Sequence, residues 1–280
     1  MKIASLTCKE VNPDTTVDDY LAFELLRAQG HSIDELIWDS PQNWEEYDLV
    51  IVRTTWDYME KLELFHKVLA EIDSKTKLIN PLETLIWNSN KKYLLELGEI
   101  GIPTIPSLLR EKIERSEIAS LLSDPKYSDG IVIKPCVGAS SIGIQFIKDV
   151  SDFKEVQKGE WFIQPLQPKI QEVGEHSLFF FEGKFSHAIC KLPKQGEFRC
   201  QEEYGSNISN WSPTKEAIQV ASRVFTELKH PINYARVDLL QDNNGNYQVI
   251  EVELIEPCLY LSTSTDAPGN YAKMVRGLLK

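Results

Sequence analysis

The sequence lacks the features that mark membrane-spanning and disulfide-stabilised proteins. Its 280 residues contain no run of eighteen apolar residues, and the first ten, MKIASLTCKE, hold no apolar stretch long enough for a signal peptide. The cysteines are five in number, widely spaced and without a CxxC pair, which disfavours a zinc site or a disulfide framework: Cys8, Cys136, Cys190, Cys200 and Cys258. We therefore expect a soluble cytoplasmic protein in a reducing compartment, with no membrane partner.

An excess of basic residues is also absent. The chain has 42 acidic and 30 basic residues, a formal net charge of −12 and an isoelectric point near 5.0. Nucleic-acid-binding proteins usually carry a basic surface, so we expect no nucleic-acid partner. An anionic small-molecule substrate remains compatible with this charge, because a few basic residues can line a cleft. The sequence specifies no oligomeric state.

The two common nucleotide-binding loops are missing as well. No GxGxxG follows the first predicted strand, and no GxxxxGK[ST] motif occurs. Instead, a predicted strand over Ile131–Pro135 contains Lys134 near its end and leads into the small-residue loop Cys136–Gly143. Backbone N–H groups in such a loop can hold phosphate oxygens, and the lysine adds positive charge. An ordinary glycine-containing hairpin would show the same pattern.

An acidic hairpin near the C-terminus is the clearest chemical signal. Two alternating segments, Tyr234–Leu240 and Tyr247–Leu254, flank turn residues and predict antiparallel strands. Alternation places charged pairs on single strand faces: Arg236 with Asp238, and Glu251 with Glu253. If the loop holds four residues, all four side chains share one face. Three carboxylates there suit Mg²⁺, although a solvated outer face of a surface hairpin is the alternative.

The first ninety or so residues alternate predicted strands with predicted helices, as in a small open α/β sheet. Ligands of such sheets bind beyond the carboxyl ends of the strands, where the segment 53–58 (RTTWDY) lies. We interpret this segment either as a substrate contact or as a packed loop with a buried tryptophan. A further helix is expected over Asn88–Leu97, with Asn88 or Ser89 as its N-cap.

The marked residues occur in a definite order: a lysine after NSN, Lys134-Pro135 before a small-residue loop, an apolar strand into Gln164, two glutamates, an arginine and the acidic hairpin. This order and spacing resemble the ATP-grasp ligases, in particular their glutathione-synthetase-like branch. The stretches YARVDLL, VIEVELIEP and GEHSLFF are similar to those of the ATP-grasp ligases of D-cycloserine biosynthesis. The resemblance covers roughly residues 85–265, and the N-terminal sheet fits more loosely.

The resemblance implies an α/β protein in which an ATP-grasp fold of two α+β lobes follows a small open α/β domain. The expected boundaries are 1–86 for the N-terminal domain, 87–164 for the small lobe with the phosphate loop, and 165–280 for the large lobe with the metal site.

By the same resemblance, specific residues would hold the nucleotide. Phosphate contacts are expected at Lys91, Lys134, Gly138, Ser140 and Ser141. The adenine edge would lie along Gln164, Pro165 and Leu166, and Glu172 would bind the ribose hydroxyls. Magnesium, or manganese, would be held by Asp238, Glu251 and Glu253.

Three points stay open at this stage. Many ATP-grasp proteins have an asparagine where this chain has Glu253, and the loop, with Ser140 and Ser141, is less rich in glycine than usual. Lys92 could replace Lys91, since both lie on the same turn. Arg236 and Arg199 are candidate catalytic residues that could clamp a carboxylate or a transferring phosphoryl group, or could pair internally with carboxylates.

The resemblance implies an ATP- and Mg²⁺-dependent enzyme that joins a small-molecule carboxylate to an amine through an acyl phosphate, with release of ADP. Amino-acid-like molecules or short peptides are the expected substrates. A small-molecule kinase of the same fold and an inactive nucleotide-binding module are the alternatives. The protein's part in such a reaction is to position the reactants and neutralise charge.

Overall fold

The computed structural model describes residues 1–11, 15–138 and 141–279, which form three sheets with helices packed around them. The N-terminal sheet is parallel and has the strand order β2-β1-β3-β4. Its elements are β1 (Lys2–Thr7), α1 (Tyr20–Ala28), β2 (Ser32–Ile37), β3 (Leu49–Thr54), α2 (Leu62–Lys75) and β4 (Lys77–Ile79). Strand β3 is buried on both faces, which explains its near-continuous apolar sequence.

The second sheet is antiparallel, with the order β5-β8-β6-β7. Two helices precede this sheet in the chain, and a third helix lies between its first two strands. In chain order the elements are α3 (Leu82–Asn88), α4 (Tyr93–Glu99), β5 (Leu108–Arg110), α5 (Arg115–Leu122), β6 (Ile131–Pro135), β7 (Gln145–Ile147) and β8 (Trp161–Pro165). The strand–loop–strand prediction around Lys134 is confirmed by β6 and β7.

The third sheet is also antiparallel and has the order β11-β10-β9-β12-β13. Its region contains α6 (Ile170–Val173), β9 (Glu175–Phe181), β10 (Lys184–Leu192), β11 (Asn207–Asn210), α7 (Lys215–Glu227), β12 (Tyr234–Gln241), β13 (Tyr247–Glu253) and α8 (Ala267–Leu278). The expected mixed α/β class is confirmed. The boundaries 1–86, 87–164 and 165–280 stay a prediction.

The expected helix over Asn88–Leu97 is confirmed only from Tyr93 onward, and its expected N-cap at Asn88 or Ser89 is wrong. Asn88 ends α3, and α4 begins only at Tyr93. Asn88 does not act as an N-cap because its side chain is used by the third sheet: Nδ2 donates to the carbonyl of Val252 at 2.7 Å, and Oδ1 accepts from the N–H of Leu254 at 2.9 Å. A tertiary contact, rather than a local cap, therefore determines its position.

The acidic hairpin forms as predicted, but its register has a different origin. The loop between β12 and β13 holds five residues rather than four. A bulge at Ile250 compensates, so that Asp238 lies opposite Glu251 and Arg236 lies opposite Glu253. Without the bulge, the extra loop residue would turn the two glutamates to the other face of the sheet.

The apolar cores lie between the sheets and their helices. One joins the N-terminal sheet to α1 and α8, and another packs α4 and α7 against the third sheet. Of the helices in the described ranges, none combines the length and the apolar character needed to cross a bilayer.

Candidate active site

A cavity of about 570 Å³ is lined by residues from all three sheet regions. Lys134 and Gln164 reach it from the second sheet, Asp238 and Glu251 from the third, and Trp56 from the loop after β3. This volume lies within the range of small-molecule sites, roughly 300–1,000 Å³. The charged face of the acidic hairpin is therefore the wall of a cleft and not a solvated surface.

One row of side chains crosses the third sheet at Asp238. Ser177 on β9 and Glu251 on β13 lie opposite Asp238 in the two neighbouring strands. Ser177 Oγ donates to Asp238 Oδ1 at 2.5 Å, and Lys91 Nζ lies 2.6 Å from Glu251 Oε1. Burial opposes ionisation of Glu251, but Lys91 and Lys134 hold its pKa below the ordinary value. Both carboxylates of the row are consequently charged.

The next row is centred on Arg236, whose guanidinium is bound by two carboxylates. Its Nε and Nη2 atoms each lie 3.0 Å from oxygens of Asp238, and Nη2 also donates to Glu253. Burial, together with the nearby charges of Glu251 and Asp238, raises the pKa of Glu253 to about 8. Glu253 therefore takes up a proton more readily than an exposed glutamate.

Lysines approach this face from outside the third sheet. Lys134 Nζ donates to the carbonyl of the bulge residue, Ile250, at 3.3 Å, and burial lowers the pKa of Lys134 to about 8. Lys91 also donates to the carbonyl of Gly138 at 2.7 Å. Lys92 instead pairs with Glu160 at 2.8 Å. The geometry therefore favours Lys91 over Lys92 as the lysine of the cavity.

The cavity also contains a buried ion pair that the sequence did not single out. Lys191 on β10 lies opposite Glu175 on β9, with Nζ 2.8 Å from Oε1, and it is 3.9 Å from Asp238 Oδ1. Burial raises the pKa of the Glu175 carboxyl. A lysine directly after the apolar run Ala188–Cys190 was the available signal for this site.

Of the remaining residues predicted to bind the nucleotide, most line the cavity and Glu172 does not. Those lining the cavity are Gly138, Ser141, Gln164, Pro165 and Leu166, whereas Ser140 lies outside the described residues. Ser141 Oγ donates to Gln201 Oε1 at 2.8 Å, which ties the loop to the third-sheet region. Glu172 is exposed on α6 and is not among the lining residues, whereas Glu175, three residues later, is.

Arg199 also lines the cavity, but it is paired internally. Its guanidinium contacts the carboxylate of Glu197 and lies 3.7 Å from the ring centroid of Tyr204. The two candidate arginines therefore differ in setting, because Arg236 is buried at the acidic face and Arg199 is half-exposed near the rim.

The three expected metal ligands have suitable chemistry but are otherwise engaged. Asp238, Glu251 and Glu253 share one face and present only carboxylate oxygens, the donors that Mg²⁺ prefers. Within residues 1–11, 15–138 and 141–279, no three acidic, histidine or cysteine side chains are grouped closely enough to hold a metal ion. The carboxylates contact Lys91 and Arg236 instead, so metal binding requires some of these ion pairs to open.

The segment 53–58 contributes both a structural residue and cavity residues. Arg53 is buried and pairs with Asp19, with Nε 2.8 Å from Oδ2. Trp56 and Asp57 line the cavity, and Trp56 Nε1 donates to the backbone carbonyl of Glu256 at 3.2 Å. This segment reaches the cleft because it follows the carboxyl end of β3, which is where ligands of open α/β sheets bind.

Comparison with known proteins finds similarity along the whole chain. Residues 3–80 match a family model described as the N-terminal domain of D-cycloserine synthetase DcsG. The cycloserine biosynthesis protein DcsG of Streptomyces lavendulae is 26% identical over an alignment that covers all of both chains.

Solved structures give the same result at the level of the fold. A crystal structure of D-cycloserine synthetase DcsG matches with a TM-score of 0.83 and 24% identity, covering all of both chains. The ATP-grasp ligase PsnB, complexed with a minimal precursor, Mg and ADP, matches with a TM-score of 0.66 and 13% identity. That match covers 99% of this chain and 98% of PsnB.

Proposed function

We propose that this chain, which has the ATP-grasp fold and resembles the ATP-grasp ligases, is an ATP- and Mg²⁺-dependent carboxylate–amine ligase that releases ADP. One observation carries the proposal: the cavity between the second and third sheets brings Lys91 and Lys134 to a face of three carboxylates and one arginine. The lysines and the arginine can neutralise phosphate charge directly, and the carboxylates can do so by holding Mg²⁺.

The nucleotide would lie between the second and third sheets. We place its phosphates at Lys91, Lys134 and the loop that includes Gly138, Ser140 and Ser141. Its base would lie along the strand end at Gln164, Pro165 and Leu166. The ribose contact was predicted at Glu172, but Glu175 is the carboxylate of that segment that faces the cavity, and we therefore propose Glu175 for this role.

Magnesium would be held by Asp238 and Glu251, with Glu253 as the third candidate ligand. The carboxylates of this face outnumber its single arginine three to one, which favours an additional cation there. The metal would supply charge neutralisation between the phosphates and the protein. Binding of phosphates by Lys91 would release Glu251 from its present partner, which makes its oxygens available.

The chemistry needs two displacements. An oxygen of the substrate carboxylate attacks the γ-phosphorus, a new O–P bond forms, and the bond to ADP breaks. The amine nitrogen then attacks the acyl carbon, the C–N bond forms, inorganic phosphate leaves, and the nitrogen releases a proton. Arg236 would stabilise the charge on the transferred phosphoryl group, and Arg199 is a second candidate at the rim.

A kinase or an inactive nucleotide-binding module is not favoured. PsnB, which shares the fold along almost its whole length, is an ATP-grasp ligase. The charged residues expected for catalysis are present and gathered in one cleft. A stable phosphorylated product without an amide would nevertheless move the assignment to a kinase.

The proposal is tested by screening amino acids and short peptides, as acid and amine, for ADP release and identifying the product by mass. Hydroxylamine should trap the activated acid as a hydroxamate. With ¹⁸O in the carboxylate, one label should appear in the released phosphate. Label in AMP would indicate adenylation and contradict the acyl-phosphate route.

A further inference from the structure

The residues that line the cavity follow one another along the strands of the third sheet. Leu240 and Ile250 line the end nearest the hairpin loop, Asp238 and Glu251 follow, and Arg236 comes next. At roughly 3.3 Å per residue, Arg236 lies about 13 Å along the strand from Leu240. A nucleotide whose base lies near Leu240 and whose phosphates lie near Asp238 therefore leaves the space beyond Arg236 for the second substrate.

That space is bounded by the segment that follows β13. Three alternating residues of this segment line the cavity, namely Glu256, Cys258 and Tyr260. The backbone is held from two sides, because Arg53 Nη2 donates to the carbonyl of Pro257 at 2.7 Å and Arg236 Nη1 donates to that of Cys258 at 3.5 Å. The segment is thus a fixed wall next to the arginine.

Glu256 differs from the other buried carboxylates of the cavity. It is only 8% exposed, and among the described residues its carboxylate has neither a hydrogen bond nor an ion pair. Its one hydrogen bond is made by its backbone carbonyl to Trp56. By contrast, Glu175, Asp238, Glu251 and Glu253 each contact a lysine or arginine. A buried carboxylate without a partner is costly, so its presence at a cavity wall points to a ligand.

The surroundings indicate the charge of that ligand. Glu10 and Asp57 are further carboxylates of the cavity lining, and Trp56 and Tyr260 provide aromatic rings. Arg53, Arg236 and Lys91 lie close enough to act on the Glu256 carboxylate, but each is paired with another carboxylate. A cationic ligand would therefore gain both an ionic hydrogen bond to Glu256 and contact with aromatic faces.

We propose that Glu256 binds the protonated amino group of the amino-acid-like acid that is activated. This inference rests on the proposed ligase function. The substrate carboxylate would lie toward Arg236 and the γ-phosphoryl group, and the ammonium group would point away from them to Glu256. The recognised ammonium does not react, because the attacking amine must be neutral. Trp56 and Tyr260 would form the walls of the subsite.

The test uses hydroxylamine as the nucleophile, so that only the acid varies. Amino acids of both configurations are compared with their N-acetyl and α-hydroxy counterparts, for example alanine with N-acetylalanine and lactate, in the presence of ATP and Mg²⁺. Hydroxamate should form only with acids that carry a free amino group. Equal turnover of N-acetyl or hydroxy acids would overturn this inference while leaving the ligase function intact.

Substitution then assigns the contact to one residue. Glu256→Gln, which keeps the shape and removes the charge, should raise KM for the amino acid roughly 10- to 100-fold, as expected for loss of a charged hydrogen bond, with KM for ATP unchanged. Glu71→Gln, at an exposed carboxylate on α2 outside the cavity lining, is the matched control and should leave both constants unchanged.

Three results would contradict the assignment. An unchanged KM for the amino acid in folded Glu256→Gln would exclude the ammonium contact. A changed Mg²⁺ requirement with a normal KM for the amino acid would assign Glu256 to the metal instead. If no acid yields hydroxamate or ADP although calorimetry shows ATP binding, the ligase function itself fails, and this inference fails with it. If Glu256→Gln does not fold, Glu256→Asp and the comparison of acids by the unmodified enzyme carry the test.

Discussion

Replacing Arg236 by methionine should destabilise the protein independently of catalysis. The arginine side chain is 10% exposed and is the shared partner of Asp238 and Glu253. Methionine has a similar length but no charge, so the change leaves two carboxylates at the cavity wall without their arginine. Removing one partner of a buried ion pair typically costs about 3–5 kcal/mol.

The geometry places the expected loss toward the lower end of that range. Lys191 remains 3.9 Å from Asp238, and Ser177 still donates to the same carboxylate. A loss of about 3 kcal/mol is a large part of the roughly 5–15 kcal/mol that stabilises a folded domain. The Arg236→Met variant should therefore fold, with a clearly lower denaturation midpoint.

Urea denaturation and thermal melting measure this loss, and two comparisons identify its cause. Adding Asp238→Asn to Arg236→Met should recover part of the stability, because it removes one uncompensated charge. Millimolar Mg²⁺ without nucleotide should raise the midpoint of Arg236→Met more than that of the unmodified protein, since the metal would replace the missing cation. Arg223→Met, at an arginine paired with Glu227 on the exposed surface of α7, is the control and should cost less than about 1 kcal/mol. Equal midpoints for Arg236→Met and the unmodified protein, or no recovery in the double variant, would refute the reasoning.

Three further predictions follow from individual side chains. Asp238→Asn and Glu251→Gln should each abolish turnover while circular dichroism shows an intact fold, and near-normal ADP release in both would exclude the proposed metal site. Lys134→Ala should weaken ATP binding, measured by calorimetry, because a phosphate contact is lost. In the unmodified protein, ATP affinity should fall as the pH rises above about 8, the pKa of Lys134. An affinity that does not change with pH would argue against the contact. The ring centroids of His176 and Trp211 lie 4.0 Å apart, and burial lowers the pKa of His176 from 6.5 to about 4. The unfolded state therefore binds a proton first as the pH falls. The stability that the neutral, buried His176 contributes, at most about 3 kcal/mol, is fully present above pH 6.5 and is lost as the pH falls toward 4. His176→Gln should make the free energy of unfolding decline less steeply over this pH range. An unchanged pH profile of stability would contradict the prediction.

Local patterns account for the elements of the fold that were predicted correctly. Strand alternation in β12 and β13 is set by the period of two, and it places Arg236 with Asp238 and Glu251 with Glu253 without any tertiary information. The strand that contains Lys134 near its end follows in the same way from short-range composition. The order of these signals along the chain was sufficient to suggest the ATP-grasp fold, because that order reflects the connectivity of the fold.

Tertiary structure decided whatever depended on partners distant in the chain. The hairpin was expected to keep its register through a four-residue loop, yet a bulge at Ile250 performs that task, and no local residue preference announces a bulge. Asparagine is a residue type that often begins a helix as its N-cap. Asn88 instead ends a helix, because its side chain forms hydrogen bonds with Val252 and Leu254, more than 160 residues away.

The same distinction separates the parts of the site. Sequence alone determined which face of the hairpin carries the charge, since the sign and spacing of those side chains are local properties. Only the folded chain shows that Lys91 and not Lys92 meets that face, that Lys191 and Glu175 pair within the cavity, and that no described residue bonds to the Glu256 carboxylate. Each of these facts is a relation between segments, and such relations arise from packing of one sheet against another.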